Sequence, residues 1–361
     1  MKNPVYILGP CSAESREQVL ETAHRIQEVC GGFPYILRAG VWKPRTSPRT
    51  FQGVGEKGLL WLIEAKQTYG VEVATEVATP EHVRLAAEAG IDYLWIGART
   101  SANPMAVSAI AKAITERIAI RPRCCKTANA VGSSQGDCKL KGIFIKNPVN
   151  EDAALWLGNI ERLEKAGIPV IAVHRGCNHM PCWSMAHAVR QARPDIPMLL
   201  DPSHMSGNAA QVPALTAKIP ELGLDGAMIE VHCHPDQAFS DAKQQITPAE
   251  LATLLKEYRV QNTEYRVQNT EYRIQNTELN WLRAEIDEID NRLWATISER
   301  MDVSRRIGEW KKTQGLKPLQ PGRYQEIVEN IKRKGEQLGL PQEFMLQIWD
   351  LIHTESLRRQ E

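Results

Sequence analysis

Eight short apolar runs, each followed by a longer segment of helical character, fill residues 1 to about 257. The runs are V-Y-I-L-G, Y-I-L-R-A, V-E-V-A-T-E, Y-L-W-I-G, I-F-I-K, P-V-I-A-V-H-R, M-L-L-D and A-M-I-E-V-H. Such runs are typical of buried parallel strands. Eight strand–helix units in about 250 residues are the number expected of an α/β TIM (β/α)8 barrel. Periodicity alone also allows a doubly wound sheet, but eight repeats favour closure.

Each run brings a polar or charged side chain to its C-terminal end, where such a barrel carries its active site. In chain order these side chains are Cys11, Arg38 with Lys43, Glu76, Arg99, Lys146, Arg175, Asp201 with His204, and Glu230 with His232. A single Arg or Lys is more often a solvated surface residue than a ligand-binding one. Five cations at one barrel mouth, however, indicate substrates rich in phosphate and carboxylate.

Two stretches are especially rich in ligand-forming residues. In K-P-R-T-S-P, the side chains of Lys43, Arg45 and Thr46 are expected to converge on one phosphate, in a loop stiffened by two prolines. The stretch 199–241 contains Asp201, His204, Glu230, His232 and Asp241. Together with Cys11, these donors suit a divalent transition metal, although their spacing alone is not diagnostic.

Composition limits the classes of partner. The formal net charge is +1 with 24% charged residues, so no global basic field favours nucleic acid or an anionic membrane. Eight cysteines without a small-domain disulfide spacing suit a reducing compartment. The N-terminus does not resemble a signal peptide, and no stretch approaches the ~20 apolar residues of a membrane span. We therefore expect a cytoplasmic protein that binds neither nucleic acid nor membrane.

The barrel motifs closely resemble those of the metal-dependent DAHP synthases of the shorter barrel type, which lack an N-terminal regulatory domain. The motifs are L-R-A-G-V-W-K-P-R-T-S-P, I-G-A-R-T, I-K-N-P-V, H-R-G, D-P-S-H, I-E-V-H and the following F-S-D, and the resemblance spans residues 3 to 257. It implies condensation of phosphoenolpyruvate with erythrose 4-phosphate, the first step of the shikimate pathway.

The resemblance also implies roles for individual residues. The metal, foremost Mn2+ with Fe2+, Co2+ or Zn2+ as alternatives, would be held by Cys11, His204, Glu230 and Asp241. The phosphoenolpyruvate phosphate would contact Arg99, Lys146 and Arg175, with Arg38 and Lys43 near its carboxylate and the reacting centre. Arg45 and Thr46 would bind the phosphate of erythrose 4-phosphate. Protons would move through Lys43, or through a metal-bound water assisted by Glu76 or His204.

Two segments depart from the barrel pattern. Residues 115–141 form an unusual basic insertion with three cysteines, whose spacing lacks the pairing of a zinc site, so a surface loop is favoured. Residues 258–278 belong to a heptapeptide repeat, E-Y-R-V-Q-N-T, that starts at Glu257. Its apolar residues do not follow coiled-coil spacing, so we interpret it as a linker, with a partner-binding coiled coil as the alternative.

The third region, residues 279–361, follows a helical pattern. An amphipathic helix is predicted from about Glu278 to Lys312, and shorter helices from Arg323 to Leu338 and from Glu343 to Arg359. The first would be roughly 50 Å long, too long for this small region to bury by itself. We therefore expect a homodimer or higher homo-oligomer through this region.

This three-helix pattern resembles the all-α chorismate mutases. The resemblance implies that Arg283 and Arg300 bind the two carboxylates of chorismate, one of them donated across a dimer, while Lys311 and Gln360 face the ether oxygen. Arg323 and Ser356 fall at further binding positions. Positions that often carry acidic residues appear here as Gln320 and Tyr324.

The sequence thus predicts a bifunctional enzyme, with feedback by prephenate or chorismate as a hypothesis drawn from the fusion itself. Two alternatives remain open. The barrel could be a related phosphoenolpyruvate-condensing synthase that uses another phosphosugar such as arabinose 5-phosphate. The helical region could be a non-catalytic sensor or dimerisation module.

Overall fold

Eight parallel strands close into a barrel in strict chain order, which confirms the predicted fold class. The computed structural model describes residues 5–119, 140–256 and 270–360. The strands are β1 (Val5–Gly9), β2 (Ile36–Arg38), β3 (Glu72–Val77), β4 (Tyr93–Ile96), β5 (Gly142–Lys146), β6 (Val170–His174), β7 (Met198–Leu200) and β8 (Gly226–Glu230). Closure is made by β8, which pairs in parallel with β1 from Val5↔Gly226 to Gly9↔Glu230.

Helices follow the strands around the outside of the barrel. They are α1 (Arg16–Cys30), α2 (Glu56–Tyr69), α3 (Pro80–Ala89), α4 (Ala98–Ser101), α5 (Pro104–Ala119), α6 (Ala153–Glu164), α7 (Trp183–Ala192), α8 (Pro202–Ser206), α9 (Val212–Glu221) and α10, described over residues 248–256. Ser15, Thr79 and Asp152 each begin a helix as an N-cap whose side chain accepts a backbone N–H.

The barrel interior is filled by one apolar side chain from every strand. These are Ile7, Ile36, Ala74, Trp95, Phe144, Val173, Leu199 and Met228. Because side chains alternate along a strand, the residue two positions later points to the same interior, nearer the C-terminal end. On six of the strands that residue is polar: Arg38, Glu76, Lys146, Arg175, Asp201 and Glu230. The packed interior therefore forms the floor of a charged site.

Two glycines make room at this floor. A Cβ at Gly97 would lie 2.0 Å from the Glu76 carboxylate, and one at Gly9 would lie 2.2 Å from the Arg38 carbonyl oxygen. Gly9 also has φ of 144°, which L-residues rarely adopt. The large side chains at the strand ends fit because the neighbouring positions are glycines, which have no side chain.

The chain divides into two compact units, Met1–Glu285 and Ile286–Glu361. Three long helices form the C-terminal part: α11 (Thr270–Thr313), α12 (Pro321–Leu338) and α13 (Gln342–Gln360). They match the three predicted helices, with α11 beginning earlier than expected. Helix α5 runs to Ala119, so part of the predicted insertion is helical. Residues 120–139 and 257–269, which hold the rest of the insertion and much of the repeat, lie outside the described residues.

The beginning of α11 packs within the first unit. Trp281 is buried and lies parallel to the His187 ring at a centroid distance of 5.3 Å. His187 in turn contacts a carboxylate oxygen of Glu285 at 2.7 Å and one of Glu278 at 2.9 Å. Asn280 donates to the Glu221 carbonyl. Among the described helices, none is both long enough and apolar enough to cross a membrane.

Candidate active sites

Four side chains at the barrel mouth bring potential metal ligands together. One ligand atom each of Cys11, His204, Glu230 and Asp241 lies within 4.8 Å of all the others. The Cys11 thiol donates to Asp241 at 3.0 Å, and His204 Nε2 is 3.6 Å from Glu230 Oε1. These are the four residues that the sequence predicted as metal ligands. Their thiol, imidazole and carboxylate donors fit a divalent transition metal.

Asp201 orients His204 for that role. His204 Nδ1 lies 3.0 Å from Asp201 Oδ2, which leaves Nε2 directed toward Glu230. Lys146 Nζ donates to the same Asp201 oxygen at 2.5 Å, and Asp201 is fully buried. A carboxylate on the far nitrogen of a ligating histidine fixes its ring orientation and raises its basicity. Asp201 thus supports the cluster without being one of its four ligands.

Lys43 connects the cluster to the rest of the mouth. Its ammonium group lies 3.1 Å from Cys11 Sγ and 3.6 Å from Glu76 Oε2. Burial lowers the pKa of Lys43, but the surrounding Cys11, Glu76 and Glu230 outweigh that effect and raise it overall. Lys43 is therefore a fixed cation at neutral pH.

The electrostatics of the four candidate ligands favour a bound cation. Burial, reinforced by Glu230, raises the pKa of the Cys11 thiol. Burial also raises the pKa of Asp241, but His204 and Lys43 lower it by more, so that this carboxylate stays ionised. A buried thiol beside two carboxylates ionises readily only when a positive charge sits between them. The donor set therefore suits a metal better than it suits a metal-free hydrogen-bond network.

The predicted anion-binding residues lie around the cluster. Arg38 donates to Glu230 at 3.1 Å and lies over the Trp95 ring at 4.7 Å. Among the described residues its buried Nε and Nη1 atoms have no hydrogen-bond partner. A buried guanidinium with two unpartnered nitrogens is costly unless an anionic ligand accepts from it. The same cavity is lined by Lys43, Arg45, Glu76, Arg99, Lys146 and Arg175.

The loop residues that were predicted to bind phosphate take part in the same mouth. Arg45 Nη1 contacts Asp241 at 3.2 Å, and Arg99 Nε donates to the Thr46 hydroxyl at 3.2 Å. The backbone N–H of Arg175 donates to Asn147 Oδ1 at 2.7 Å, which fixes the end of β6. The structure thus brings to one face the barrel residues to which the resemblance gives a role in substrate binding, metal binding or proton transfer.

Three further residues were not singled out by the sequence. Gln244 donates to Glu230 Oε2 at 2.7 Å and lines the cavity, as do Trp95 and His179. Gln244 follows Asp241 by three residues, and that proximity was the available signal. His232, in contrast, lies outside the ligand cluster and is 3.9 Å from Glu14.

A second cavity, of about 490 Å³, lies within the helical unit. Its lining includes Arg300, Lys311, Arg323, Ser356 and Gln360, all predicted site residues. Lys311 Nζ donates to Gln360 Oε1 at 2.9 Å and also contacts the Pro318 carbonyl. Arg300 donates to the Ser356 hydroxyl. A volume of this size suits a small metabolite, and three cations in the lining favour an anionic one.

Several other residues of the helical unit also line this cavity, whereas one predicted site residue does not. Gln320 and Tyr324 line the cavity, and Tyr324 donates its hydroxyl proton to Asp350 at 3.2 Å. The lining also contains Trp349 and His353, which the sequence did not single out. Arg283 is exposed on α11 and is not part of the lining.

Comparison with known families assigns both regions. The model of the DAHP synthetase I family matches residues 2–266, well over half of the chain. The chain belongs to this family. The model of chorismate mutase type II matches residues 282–361. This DAHP synthase family member thus carries a chorismate mutase domain, and its two domains indicate both enzyme activities.

Individual relatives support this assignment. Phospho-2-dehydro-3-deoxyheptonate aldolase of Thermotoga maritima is 33% identical over 258 residues, 70% of this chain and 68% of the relative. A crystal structure of the Thermotoga maritima DAHP synthase aligns with a TM-score of 0.59 and 29% sequence identity. The alignment covers 73% of this chain and 70% of the Thermotoga maritima chain. A 2-dehydro-3-deoxyphosphooctonate aldolase of Trichlorobacter lovleyi is 28% identical over 70% of this chain and 90% of its own.

The helical region of this DAHP synthase family member has its own relative. A 4-amino-4-deoxychorismate mutase of Streptomyces venezuelae is 35% identical over 80 residues, 22% of this chain and 78% of the relative. Enzymes of the DAHP synthase family generally use a divalent metal, and the four-ligand cluster at the barrel mouth is a candidate site for it.

Proposed function

We propose that the barrel condenses phosphoenolpyruvate with D-erythrose 4-phosphate to DAHP, and that the helical region rearranges chorismate to prephenate. The observation that carries the first part is the ligand cluster Cys11, His204, Glu230 and Asp241, set among cations that include the unsatisfied Arg38. The second part rests on Arg300, Lys311 and Gln360 lining one cavity.

In the proposed condensation, C3 of phosphoenolpyruvate attacks the aldehyde carbon of erythrose 4-phosphate, and water adds at C2 before inorganic phosphate leaves. Cys11, His204, Glu230 and Asp241 would hold a divalent metal, Mn2+ foremost, which would supply Lewis-acid polarisation of the aldehyde. Lys43 donates the proton that the aldehyde oxygen needs as the bond forms, since its raised pKa keeps it protonated. Glu76, 3.6 Å away, accepts the proton released by the attacking water.

The cations position two anionic reactants that would otherwise repel one another. Arg99, Lys146 and Arg175 are proposed to bind the phosphoenolpyruvate phosphate. Arg38 is proposed to bind its carboxylate through Nε and Nη1, the two atoms that lack a partner among the described residues. Arg45 and Thr46 are proposed to hold the second phosphate.

The test is the loss of phosphoenolpyruvate absorbance with erythrose 4-phosphate, measured on chelator-treated protein before and after manganese is added. Activity that appears only with metal supports the proposal. Arabinose 5-phosphate serves as the alternative aldehyde, because an octonate-type relative also matches the barrel. The K-P-R-T-S stretch and the higher identity to the heptonate enzyme favour erythrose 4-phosphate. Faster turnover of arabinose 5-phosphate would reverse this choice.

In the mutase domain, chorismate rearranges within one molecule, so the site needs only to position it and stabilise developing charge. Arg300 and a partner copy's equivalent of Arg283 are proposed to bind the two carboxylates, while Lys311 and Gln360 contact the ether oxygen. Arg323 and Ser356 add binding contacts. Loss of chorismate absorbance tests this, and Lys311→Met is expected to lower kcat at least a hundredfold without affecting the condensation.

Feedback is the third part of the proposal. Prephenate or chorismate bound in the helical cavity is proposed to slow the condensation, because one chain carries the first pathway step and a site for a later intermediate. Arg300→Ala is expected to abolish this inhibition. The condensation rate measured without prephenate or chorismate should stay unchanged. Inhibition that persists after removal of residues 258–361 would contradict the feedback proposal.

We further propose that the enzyme works in the cytoplasm as a homodimer or higher homo-oligomer.

A further inference from the structure

A second group of side chains that could hold a metal ion lies beside the barrel mouth, between helix α1 and the segment after β8. It consists of Glu21 on α1 with Cys233 and His234 on the segment. One ligand atom of each lies within 4.8 Å of the other two, and His234 Nε2 is 3.5 Å from Glu21 Oε1. None of these three belongs to the cluster at the barrel mouth.

Hydrogen bonds fix the backbone that presents two of these ligands. The backbone N–H of Cys233 donates to the Thr22 hydroxyl of α1 at 3.3 Å. The backbone N–H of His234 donates to Nδ1 of His232 at 2.9 Å. Since both residues are held at their main chain, the thiol and the imidazole stay close to Glu21 without needing a bound ligand to place them. Preorganised ligands lower the cost of binding.

The three donors suit one class of cation. A thiolate, an imidazole and a carboxylate form the mixed set that Zn2+ accepts, and three protein ligands leave a fourth tetrahedral position for water. The Cys233 thiol gives up its proton as the cation binds, because the positive charge stabilises the thiolate.

The competing contacts around the cluster are weak. Arg25 pairs with Glu21 Oε1 at 2.5 Å, but both side chains are about 40% exposed, and such pairs contribute little stability. Glu21 Oε1 is also the oxygen that lies 3.5 Å from His234 Nε2, so an ion bound there would displace the Arg25 contact. His234 is 46% exposed in its side chain, so its imidazole is open to solvent, whereas Cys233 behind it is buried with 6% exposure.

We propose that Glu21, Cys233 and His234 form a second, surface site for a thiophilic divalent cation of the zinc class, separate from the site at the barrel mouth. The site would also affect the mouth. Cys233 and His234 lie between Glu230 and Asp241, both of them candidate ligands there. An ion at the surface site ties this segment to α1 and so restrains the position of Asp241.

The experiment uses the full-length chain, stripped with chelator and equilibrated with zinc, with bound metal counted by mass spectrometry. We expect Cys233→Ser and His234→Asn each to bind one equivalent less than the unchanged protein. Glu28→Gln, which removes an exposed carboxylate elsewhere on α1, is the matched control and should lose none. Thermal unfolding of each variant checks that it is folded.

Cobalt provides a second readout that reports the thiolate directly. A cysteine-bound cobalt ion gives a charge-transfer absorption, so the unchanged protein should show a component that Cys233→Ser lacks and Glu28→Gln retains. Equal zinc content and equal cobalt spectra in Cys233→Ser, His234→Asn and the unchanged protein would overturn the proposal. Loss in Cys233→Ser with full retention in His234→Asn would also overturn the three-ligand site, since the imidazole is then not a ligand.

Discussion

His174, at the end of β6, is a buried imidazole whose protonation state the fold fixes. Its Nε2 donates to the Pro181 carbonyl at 2.5 Å, while Nδ1 has no partner among the described residues. The Trp156 and Trp183 rings flank it at 6.1 and 5.5 Å. Burial lowers the pKa of His174 to about 4. Between pH 6.5 and 4 the imidazole therefore stays neutral in the folded chain. In the unfolded chain, where the histidine pKa is about 6.5, it gains a proton in this range.

This difference makes folding stability depend on pH. Since the unfolded state binds more protons between pH 6.5 and 4, stability is full above 6.5 and falls as the pH decreases. From pH 7 to pH 5 the loss from His174 alone is about 2 kcal/mol. Urea unfolding at both pH values measures it. His174→Gln, which keeps a donor for Pro181 but does not titrate, should lose less than the unchanged protein, and equal losses would contradict the assignment.

Trp349 is expected to hold Arg300 in place in the helical cavity. The Arg300 guanidinium lies 5.0 Å above the Trp349 ring, and a cation–π contact in a partly buried site contributes about 1 kcal/mol. Trp349→Ala should therefore raise the KM for chorismate about fivefold with a smaller change in kcat. The comparison variant Trp349→Phe keeps an aromatic face and should retain most of the affinity. Equal KM values for the two variants would argue against this role.

At the scale of the element, the contact between α11 and α13 depends on Gly308. A Cβ at this position would lie 2.5 Å from the Gln360 Cα and 2.8 Å from its carbonyl oxygen, both backbone atoms that cannot rotate away. Gly308→Ala should force the two helices apart and move Gln360 away from Lys311. We expect a loss of about 1–3 kcal/mol in stability and a more than tenfold lower mutase kcat.

The matched control is Gly322→Ala on α12, where an added Cβ would meet nothing within 4 Å. This exposed change should keep full mutase activity and leave stability equal or slightly higher, since Ala favours helix more than Gly. Both variants are compared by chorismate turnover and thermal unfolding. Full activity in Gly308→Ala would mean that the two helices can separate without disturbing the site.

How much the sequence predicts also differs between elements. The eight strands follow from their short apolar runs, because a strand buried on both faces leaves a strong local signal. The residues at the strand ends were found for the same reason. Gln244 was missed because its contact with Glu230 depends on how the chain turns after Asp241. That turn is set by tertiary packing, which periodicity does not report.

The helical cavity shows the same limit. Trp349, His353, Ser356 and Gln360 follow one another at spacings of four, three and four, so they share one face of α13. That spacing could have identified Trp349 and His353 once Ser356 and Gln360 were chosen. An aromatic residue and a histidine on an amphipathic helix, however, usually indicate ordinary packing. Only the folded helices show that this face borders a cavity.

At the scale of the whole molecule, an exposed apolar stripe on α11 bears on the oligomeric state. Ile286, Ile289 and Leu293 are each about half exposed, at 58%, 53% and 49%, and lie at spacings of three and four. Contiguous apolar surface of this kind marks an interface. The proposed mutase site requires Arg283 from a second chain, which the same helix carries. Self-association along this stripe would bury the apolar side chains and would also bring Arg283 of the second chain to the mutase site.

We therefore expect Ile289→Asp to convert the protein to monomers, because burying a carboxylate in an apolar interface is strongly unfavourable. Light scattering after gel filtration should show the mass falling to that of one chain. Mutase kcat/KM should fall at least a hundredfold, whereas the condensation rate of the barrel should stay near that of the unchanged protein. Asn291→Asp adds the same charge about 200° around the helix and should leave mass and both activities unaltered. An Ile289→Asp variant that keeps its mass and mutase activity would exclude the stripe as the interface, and the arginine would then have to come from within one chain.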